Sequence, residues 1–545
     1  MKKFILLCTF CWGMLVPGAR ACTSFLAGRN ATIDGSTFIT YAADSHTLYG
    51  ALKFIPAARH PKNSTMEIRE WDTNKLLGHI PQVEYTYKVV GNMNEHQLSI
   101  TESTWGGRPE LVDTTGIIDY GSLMYIALQR AKTAREAITV MTDLVSEYGY
   151  YSSGESFSIA DPEEVWIMEM IGKGPQNQGA VCVAVRIPDD CIAAHANQSR
   201  IHKFPLDDKE NCLYSPDVIS FAREQGYFNG LNKDFSFADA YAPADFGALR
   251  GCEARVWSFY NRFNSSMGKY LSYLNGKSKE YLPLYIKPDK KLSVQDMKDA
   301  MRDHFEGTPF DMTQDVGAGP FKCPYRFRPM TFKVDSVEYT NERAVATQQT
   351  AFTLVAQMRS WLPNAIGGVL WFGVDDTNTC VYVPLYACLN EVPECYSELN
   401  GSMYDLSWTS AFWIHNWVAN MSYSRYDQMI EDIRPVQKDI ETTFYVQQPV
   451  IEKVANDLYR NDPVAAIRFL NAYSVAQAQQ TTVQWKKLGE FLLVKYLDGN
   501  RKKEKGGHFL ENGYGLPADP DFPGYSEEYY RAVAKDAGDR LKVAF

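Results

Sequence analysis

A layered α+β fold with a helical C-terminal part is predicted by three features of the sequence. Segments of period-two alternation occupy the stretch from Cys22 to Thr101, and two amphipathic helical patterns follow between Leu123 and Tyr148. Strand-like runs then return from Ser156 onward, and from about Trp408 the texture becomes helical and rich in Gln, Lys, Glu and Ala. Strands, then helices, then strands suit layers of antiparallel sheet and helix better than an alternating parallel sheet.

In chain order, Thr23, Phe25 and Ala27 alternate with Ser24, Leu26 and Gly28, and Asp34-Gly35 signals a turn before a second strand, Thr37-Phe38-Ile39-Thr40-Tyr41. A hairpin of this length brings the start of its first strand near the end of its second, which puts Asp44 close to Cys22. Strand-like runs follow at residues 84–90 and 97–101, joined by the turn-rich Gly91-Asn92-Met93-Asn94-Glu95. Gly106-Gly107-Arg108 makes a flexible loop beside Trp105. Leu123, Ile126, Ala127 and Arg130 stand at helical spacing, and residues 134–148 carry Ala137, Ile138, Met141, Leu144 and Val145 on one face. Strands are expected at 156–160, 164–170 and 180–187, a helix at 289–304, and buried strands at 366–374 and 380–384. Residues 344–358 fit strand or helix by pattern alone. In the C-terminal part Val450, Val454 and Leu458, then Ala465 and Phe469, keep helical spacing, and residues 475–495 continue it. The expected division is a leader at 1–21, a catalytic domain at 22–407 and a mainly helical region at 408–545.

The leader has the form of a secretory signal. Lys2 and Lys3 precede an apolar run over residues 4–16, Pro17-Gly18 breaks it, and Ala19-Arg20-Ala21 offers the small residues that a signal peptidase requires. The apolar run is too short to span a bilayer, which takes roughly 20 residues. Cleavage after Ala21 would export the chain, to the periplasm or the extracellular space, and leave Cys22 as residue one. A lipoprotein signal also puts cysteine first, but normally wants Leu or a similar residue three before the cysteine and a small uncharged residue just before it; here Ala19 and Arg20 stand there.

The formal charge of the 545-residue chain is -10, and loss of Lys2, Lys3 and Arg20 takes it to -13. That balance argues against nucleic acid or anionic membranes as partners. Of the 11 cysteines, Cys8 and Cys11 leave with the leader. Besides Cys22 there remain Cys182, Cys191, Cys212, Cys252, Cys323, Cys380, Cys388 and Cys395. An exported chain permits disulfides, with 182/191, 212/252 and 388/395 as neighbouring pairs, although simple burial serves as well. Beyond the leader no CxxC pair, His-rich cluster or HExxH motif offers a metal site, so no metal or cofactor is expected.

An N-terminal cysteine carries a nucleophile and a base on one residue. A free thiol has a pKa of about 8.5 and an α-amine about 7.7–8, so the neutral amine can relay the thiol proton near neutral pH. The thiolate then attacks an acyl carbon, the leaving group departs and water hydrolyses the thioester.

Several stretches carry a resemblance. They are Cys22-Thr23-Ser24, Asp34-Gly35-Ser36, Tyr41-Ala42-Ala43-Asp44-Ser45, Gly91-Asn92-Met93-Asn94-Glu95, residues 154–162 (GESFSIADP), His195-Ala196-Asn197-Gln198, residues 302–309 (RDHFEGTP) and Ser360-Trp361-Leu362-Pro363. In this order they resemble the cysteine dipeptidases of the N-terminal-nucleophile (Ntn) hydrolase superfamily, dipeptidase A type, distant relatives of penicillin V acylases and bile salt hydrolases. The resemblance implies an αββα sandwich of two antiparallel sheets and hydrolysis of dipeptides by Cys22. It implies that Asp44 orients the nucleophile, that Asn197 and Asn94 are oxyanion donors, and that Arg255 is the late active-site arginine. One position departs from the pattern: Tyr41 stands where many relatives carry an arginine three residues before the aspartate.

Trp105 and Arg108 form a separate hypothesis, in which the arginine binds a dipeptide's carboxylate bidentately. His304 and Glu306 invite an acid–base role, but their place after a helix favours a C-terminal turn. The expectation is therefore an exported cysteine dipeptidase acting on small peptides, with no membrane span and with oligomerisation left open. The alternatives are an N-acyl amidase of the penicillin V or bile salt type, or a non-enzymatic surface protein anchored through a lipidated Cys22.

Overall fold

The computed structural model describes residues 22–543; the leader and its cleavage site lie outside the described residues. Among the described residues the chain builds two large antiparallel sheets, of seven and eight strands, beside four two-stranded ones. The first strand of the seven-stranded sheet, Ser24–Ala27, lies between Thr37–Asp44 and Ile192–His195. Thr37–Asp44 is paired in turn with Thr350–Met358, and Val369–Val374 and Val383–Tyr386 complete that side. The eight-stranded sheet is centred on Ser99–Thr104, Glu155–Ala160, Val165–Gly172 and Ala180–Arg186. Residues 344–358 thus resolve as strand, over Thr350–Met358.

The two sheets stack face to face, and polar side chains stitch them. Ser24 Oγ lies 3.3 Å from Thr101 Oγ1, which itself donates to Thr40 O at 3.2 Å. Buried His195 joins the sheets through both ring nitrogens, Nδ1 at 2.6 Å from Ser103 Oγ and Nε2 at 2.7 Å from Ser158 Oγ. Helices cover the outer faces, so the fold is α+β in four layers. Tyr120–Arg130 and Ala134–Tyr148 pack on the eight-stranded sheet around a core that includes Leu98, Ile100, Met141 and Trp166. Ala134–Tyr148 forms where the pattern puts it: Thr133 caps the backbone N–H of Glu136 at 3.2 Å, the apolar stripe turns inward, and Gly149, at φ 75°, ends the helix.

The helices Ala254–Phe263 and Val294–Met301 lie on the other side, as do the long C-terminal helices Ala411–Tyr423, Tyr426–Asn461 and Pro463–Lys495. Ile414, Ile433, Phe444, Leu470 and Trp485 share one continuous core with the seven-stranded sheet. The break between the two longest helices is local chemistry, since Asp462 caps Ala465 N at 3.0 Å and Pro463 occupies the first turn. Val450 and Val454 keep helical spacing but face solvent, while Ile433, Ile440 and Phe444 carry the buried stripe. No helix among the described residues is long and apolar enough to cross a membrane.

Two expectations are corrected here. The strand expected at 380–384 begins only at Val383, because side chains occupy the preceding backbone: Cys380 O accepts from Gln437 Nε2 at 2.6 Å, and Tyr382 N donates to Glu441 Oε1 at 2.9 Å. The cysteine pairs 182/191, 212/252 and 388/395 do not form, and all nine cysteines from Cys22 on are unpaired. Cys182 faces the helix-covered core, whereas Cys191 belongs to the other core, which separates the 182/191 pair.

Candidate active site

Cys22 immediately precedes the first strand, and the hairpin delivers its neighbours. Thr23 bridges Ala42, which extends the register Leu26–Ile39 and Ala27–Phe38 and sets Cys22 opposite Ala43, beside Asp44. The thiol opens on a cavity of about 150 Å³ whose lining includes Tyr41, Asp44, Trp71, Asp72, Glu102 and Tyr120. Cys22 Sγ lies 3.3 Å from Glu102 Oε1 and 3.8 Å from the Tyr41 hydroxyl, and Tyr41 also donates a short hydrogen bond to Glu102.

Burial pushes the Cys22 thiol well above its ordinary pKa, and the charges of Glu102 and Asp44 add to this; the Asp44 backbone N–H and Tyr41 oppose it. The resting sulphur is therefore a neutral thiol that donates to Glu102, and attack requires a base to take its proton. Burial likewise raises Asp44, against the pull of Arg343 and Thr350. Arg343 forms an ion pair with Asp44 Oδ2, and Thr350 Oγ1 donates to Oδ1 at 2.6 Å, so both carboxylate oxygens are engaged.

Arg255, 1% exposed, comes from the Ala254–Phe263 helix and spends all five of its N–H groups. Nη1 donates to Cys22 O at 2.8 Å and Thr23 Oγ1 at 2.7 Å. Nη2 donates to Ala196 O at 3.1 Å and Asn197 Oδ1 at 2.9 Å, and Nε to Gly251 O at 2.8 Å. Burial and nearby Arg343 bring its pKa down to about 10, which still leaves it charged at neutral pH. Its partners are carbonyl, hydroxyl and amide oxygens, so it fixes the Cys22 main chain and couples it to Asn197. Asn197 sits at φ 59°, just past the end of the Ile192–His195 strand, and donates through Nδ2 to Thr104 O at 2.6 Å.

Cys22, Asp44, Asn197 and Arg255 thus come together. Asn94, Trp105 and Arg108 do not. The Asn94 carboxamide donates to Leu128 O and Ala131 O, both at 2.8 Å, and accepts from His96 N and Leu98 N, which ties the end of the Tyr120–Arg130 helix to the sheet. Trp105 is 2% exposed, with its ring against Gly154 and its Nε1 donating to Ser156 Oγ at 3.0 Å. Arg108 donates to Ala240 O at 2.6 Å and stacks 3.8 Å from the centroid of the Tyr227 ring. None of the three lines the Cys22 cavity. His304 pairs with Glu306 at 3.0 Å, in the turn after Val294–Met301.

Sequence reasoning missed Glu102, Glu155 and Arg343. Glu102 had a weak signal, a carboxylate among the Ser, Thr and Ile residues of a strand. Arg343 had none, because its contact with Asp44 follows from the pairing of Thr350 with Asp44, about three hundred residues along the chain.

The model of Peptidase family C69 matches residues 21–439. Among curated proteins, a "Probable dipeptidase" of Latilactobacillus sakei is 27% identical over 425 residues, which cover 74% of this chain and 82% of the relative. A "Probable dipeptidase" of Salmonella dublin is 26% identical over 408 residues, covering 71% and 85%. A "Probable dipeptidase B" of Streptococcus pyogenes serotype M1 is 23% identical over 512 residues, covering 88% and 94%.

Proposed function

The chain belongs to peptidase family C69, and from that premise we propose that this peptidase is an exported Ntn-type dipeptidase whose nucleophile is Cys22. The observation that carries the reading is the Cys22 thiol opening on a small, polar cavity of about 150 Å³, which suits one residue of a short peptide. The names of the relatives point the same way.

In the proposed reaction, removal of residues 1–21 frees the α-amine of Cys22. The neutral amine takes the thiol proton, and Sγ attacks the carbonyl carbon of the substrate's first residue. Asn197, whose oxygen end Arg255 fixes, supports the developing oxyanion. The C–N bond breaks as the α-ammonium returns the proton to the leaving amine, leaving a thioester. Water, deprotonated by the same amine, then attacks; the C–S bond breaks and the thiol is restored. Asp44, neutralised by Arg343, acts as a positioning group at the strand end rather than as a proton carrier.

An amidase acting on penicillin V or conjugated bile salts would use the same machinery, but a bulky apolar acyl group is a poor match to this cavity and its Asp44, Asp72 and Glu102 carboxyls. The test is hydrolysis of a dipeptide panel beside penicillin V and a conjugated bile salt, using protein whose first residue is Cys22. Turnover confined to dipeptides is expected; turnover confined to the acyl amides would replace the reading.

A further inference from the structure

The strand pairing brings a second carboxyl to Glu102. Glu102 is registered opposite Phe157, and Glu155, two residues before Phe157, lies diagonally across on the same face. The two side chains hydrogen-bond each other, and burial together with the Glu102 charge pushes Glu155 well above the ordinary carboxylate range. Glu102 Oε2 and Glu155 Oε1 are buried and meet no N–H or O–H donor from any other described residue, so a proton held by Glu155 fills the space between them. Thr104 Oγ1 satisfies the other Glu155 oxygen at 2.9 Å.

Glu102 is the member of the pair that faces Cys22. It is 1% exposed and lines the cavity of Cys22. Its Oε1 receives Tyr41 and the Cys22 thiol, neither of them a cation, whereas the nearby Asp44 charge is matched by Arg343. A carboxylate has about four acceptor positions. Tyr41 and Glu155 hold two of them, and the thiol occupies a third only until its proton leaves.

Geometry supplies the replacement. In a dipeptide, the α-nitrogen is separated from the scissile carbonyl carbon by one Cα, a distance of roughly 2.5 Å from standard bond lengths and angles. A carbonyl carbon poised about 3–3.5 Å from Sγ therefore carries its ammonium to within a few ångströms of the sulphur. Glu102 Oε1 stands 3.3 Å from Sγ. Resting on the dipeptidase reading, we propose that Glu102, oriented by Tyr41 and Glu155, is the receptor for the substrate's free α-ammonium, and so restricts this site to peptides with an unblocked N-terminus one residue from the cleaved bond.

The test compares alanyl-alanine with propionyl-alanine, which differ only by the α-ammonium, on wild type and Glu102→Gln, each beginning at Cys22. Loss of one charge-assisted hydrogen bond predicts that wild type favours alanyl-alanine by roughly 30- to 100-fold in kcat/KM, and that Glu102→Gln reduces this preference to less than about fivefold. Because the Glu102 charge disfavours the thiolate, alkylation of Cys22 by iodoacetamide, followed on the N-terminal peptide, should be faster in Glu102→Gln than in wild type, and a slower rate would mean that Glu102 serves the thiol and overturn the proposal. If Glu102→Gln lowers both substrates by the same factor, Glu102 serves the thiol and not the ammonium, and the proposal fails. Should the variant not fold, wild type alone decides: equal kcat/KM for the two substrates overturns the proposal. Wild type that cleaves neither compound would instead overturn the dipeptidase reading itself.

Discussion

Cys22 sits among groups that suppress its ionisation, so the proposed attack needs positioning and a base delivered at the right place. In the proposed reaction Arg255 does the positioning. Its planar fork reaches the Cys22 carbonyl, the Thr23 hydroxyl and the Asn197 side chain at once, a geometry that an ammonium cannot reproduce. Arg255→Lys should therefore lower kcat for dipeptides by about 100-fold. Steady-state kinetics check this, with a change confined to KM counting against a positioning role. Tyr41 was the least legible residue at this scale. The sequence marked it as a departure from an expected arginine, and in the structure it bridges the thiol and Glu102. Cations still serve the neighbourhood, but they come from Arg255 on the main chain and Arg343 on Asp44, both supplied by distant segments.

At the scale of elements, local pattern was read well and long-range pairing poorly. The Ala134–Tyr148 helix and the hairpin that brings Asp44 to Cys22 were legible because caps, turn residues and periodicity are written in consecutive residues. Asn94 shows the opposite case. A turn asparagine in a motif reads as a donor for chemistry, whereas its partners here are the carbonyls that end a helix some 35 residues later. Trp105 and Arg108 lie away from the Cys22 cavity in a loop that looks open in sequence, yet Gly154, Ser156, Tyr227 and Ala240 close over it. Asn94→Ala removes four hydrogen bonds and leaves two helix-end carbonyls buried, which should cost about 2–3 kcal/mol. The urea midpoint should fall accordingly while kcat/KM of the folded protein stays within about twofold; a selective loss of kcat would restore Asn94 to the chemistry.

For the molecule as a whole, stability rests on two sheets joined by polar stitching, and His195 gives that joint a pH dependence. Burial, reinforced by Arg200 and Arg255, takes its pKa down to about 3, because the ring is neutral with one serine on each nitrogen. A basic group depressed on folding contributes stability that is full above its unfolded pKa of about 6.5 and is lost as pH falls toward 3. Between pH 6.5 and 5 the loss amounts to about 2 kcal/mol. His195→Gln, which keeps a donor and an acceptor, should show about that much less destabilisation over the same interval in urea melts, and an unchanged acid slope would refute the assignment.

The layered α+β architecture was visible in the order of the elements, and the core shared by the C-terminal helices and the seven-stranded sheet was not, because its contacts join residues far apart in sequence. What unites these scales is the claim that the fold presents a cysteine whose own α-amine completes the site. The most direct measurement is dipeptide hydrolysis by chain kept uncut with Ala21→Pro, beside chain that begins at Cys22. The account predicts turnover by the chain beginning at Cys22 and none above background by the uncut one, and comparable turnover by both would contradict it.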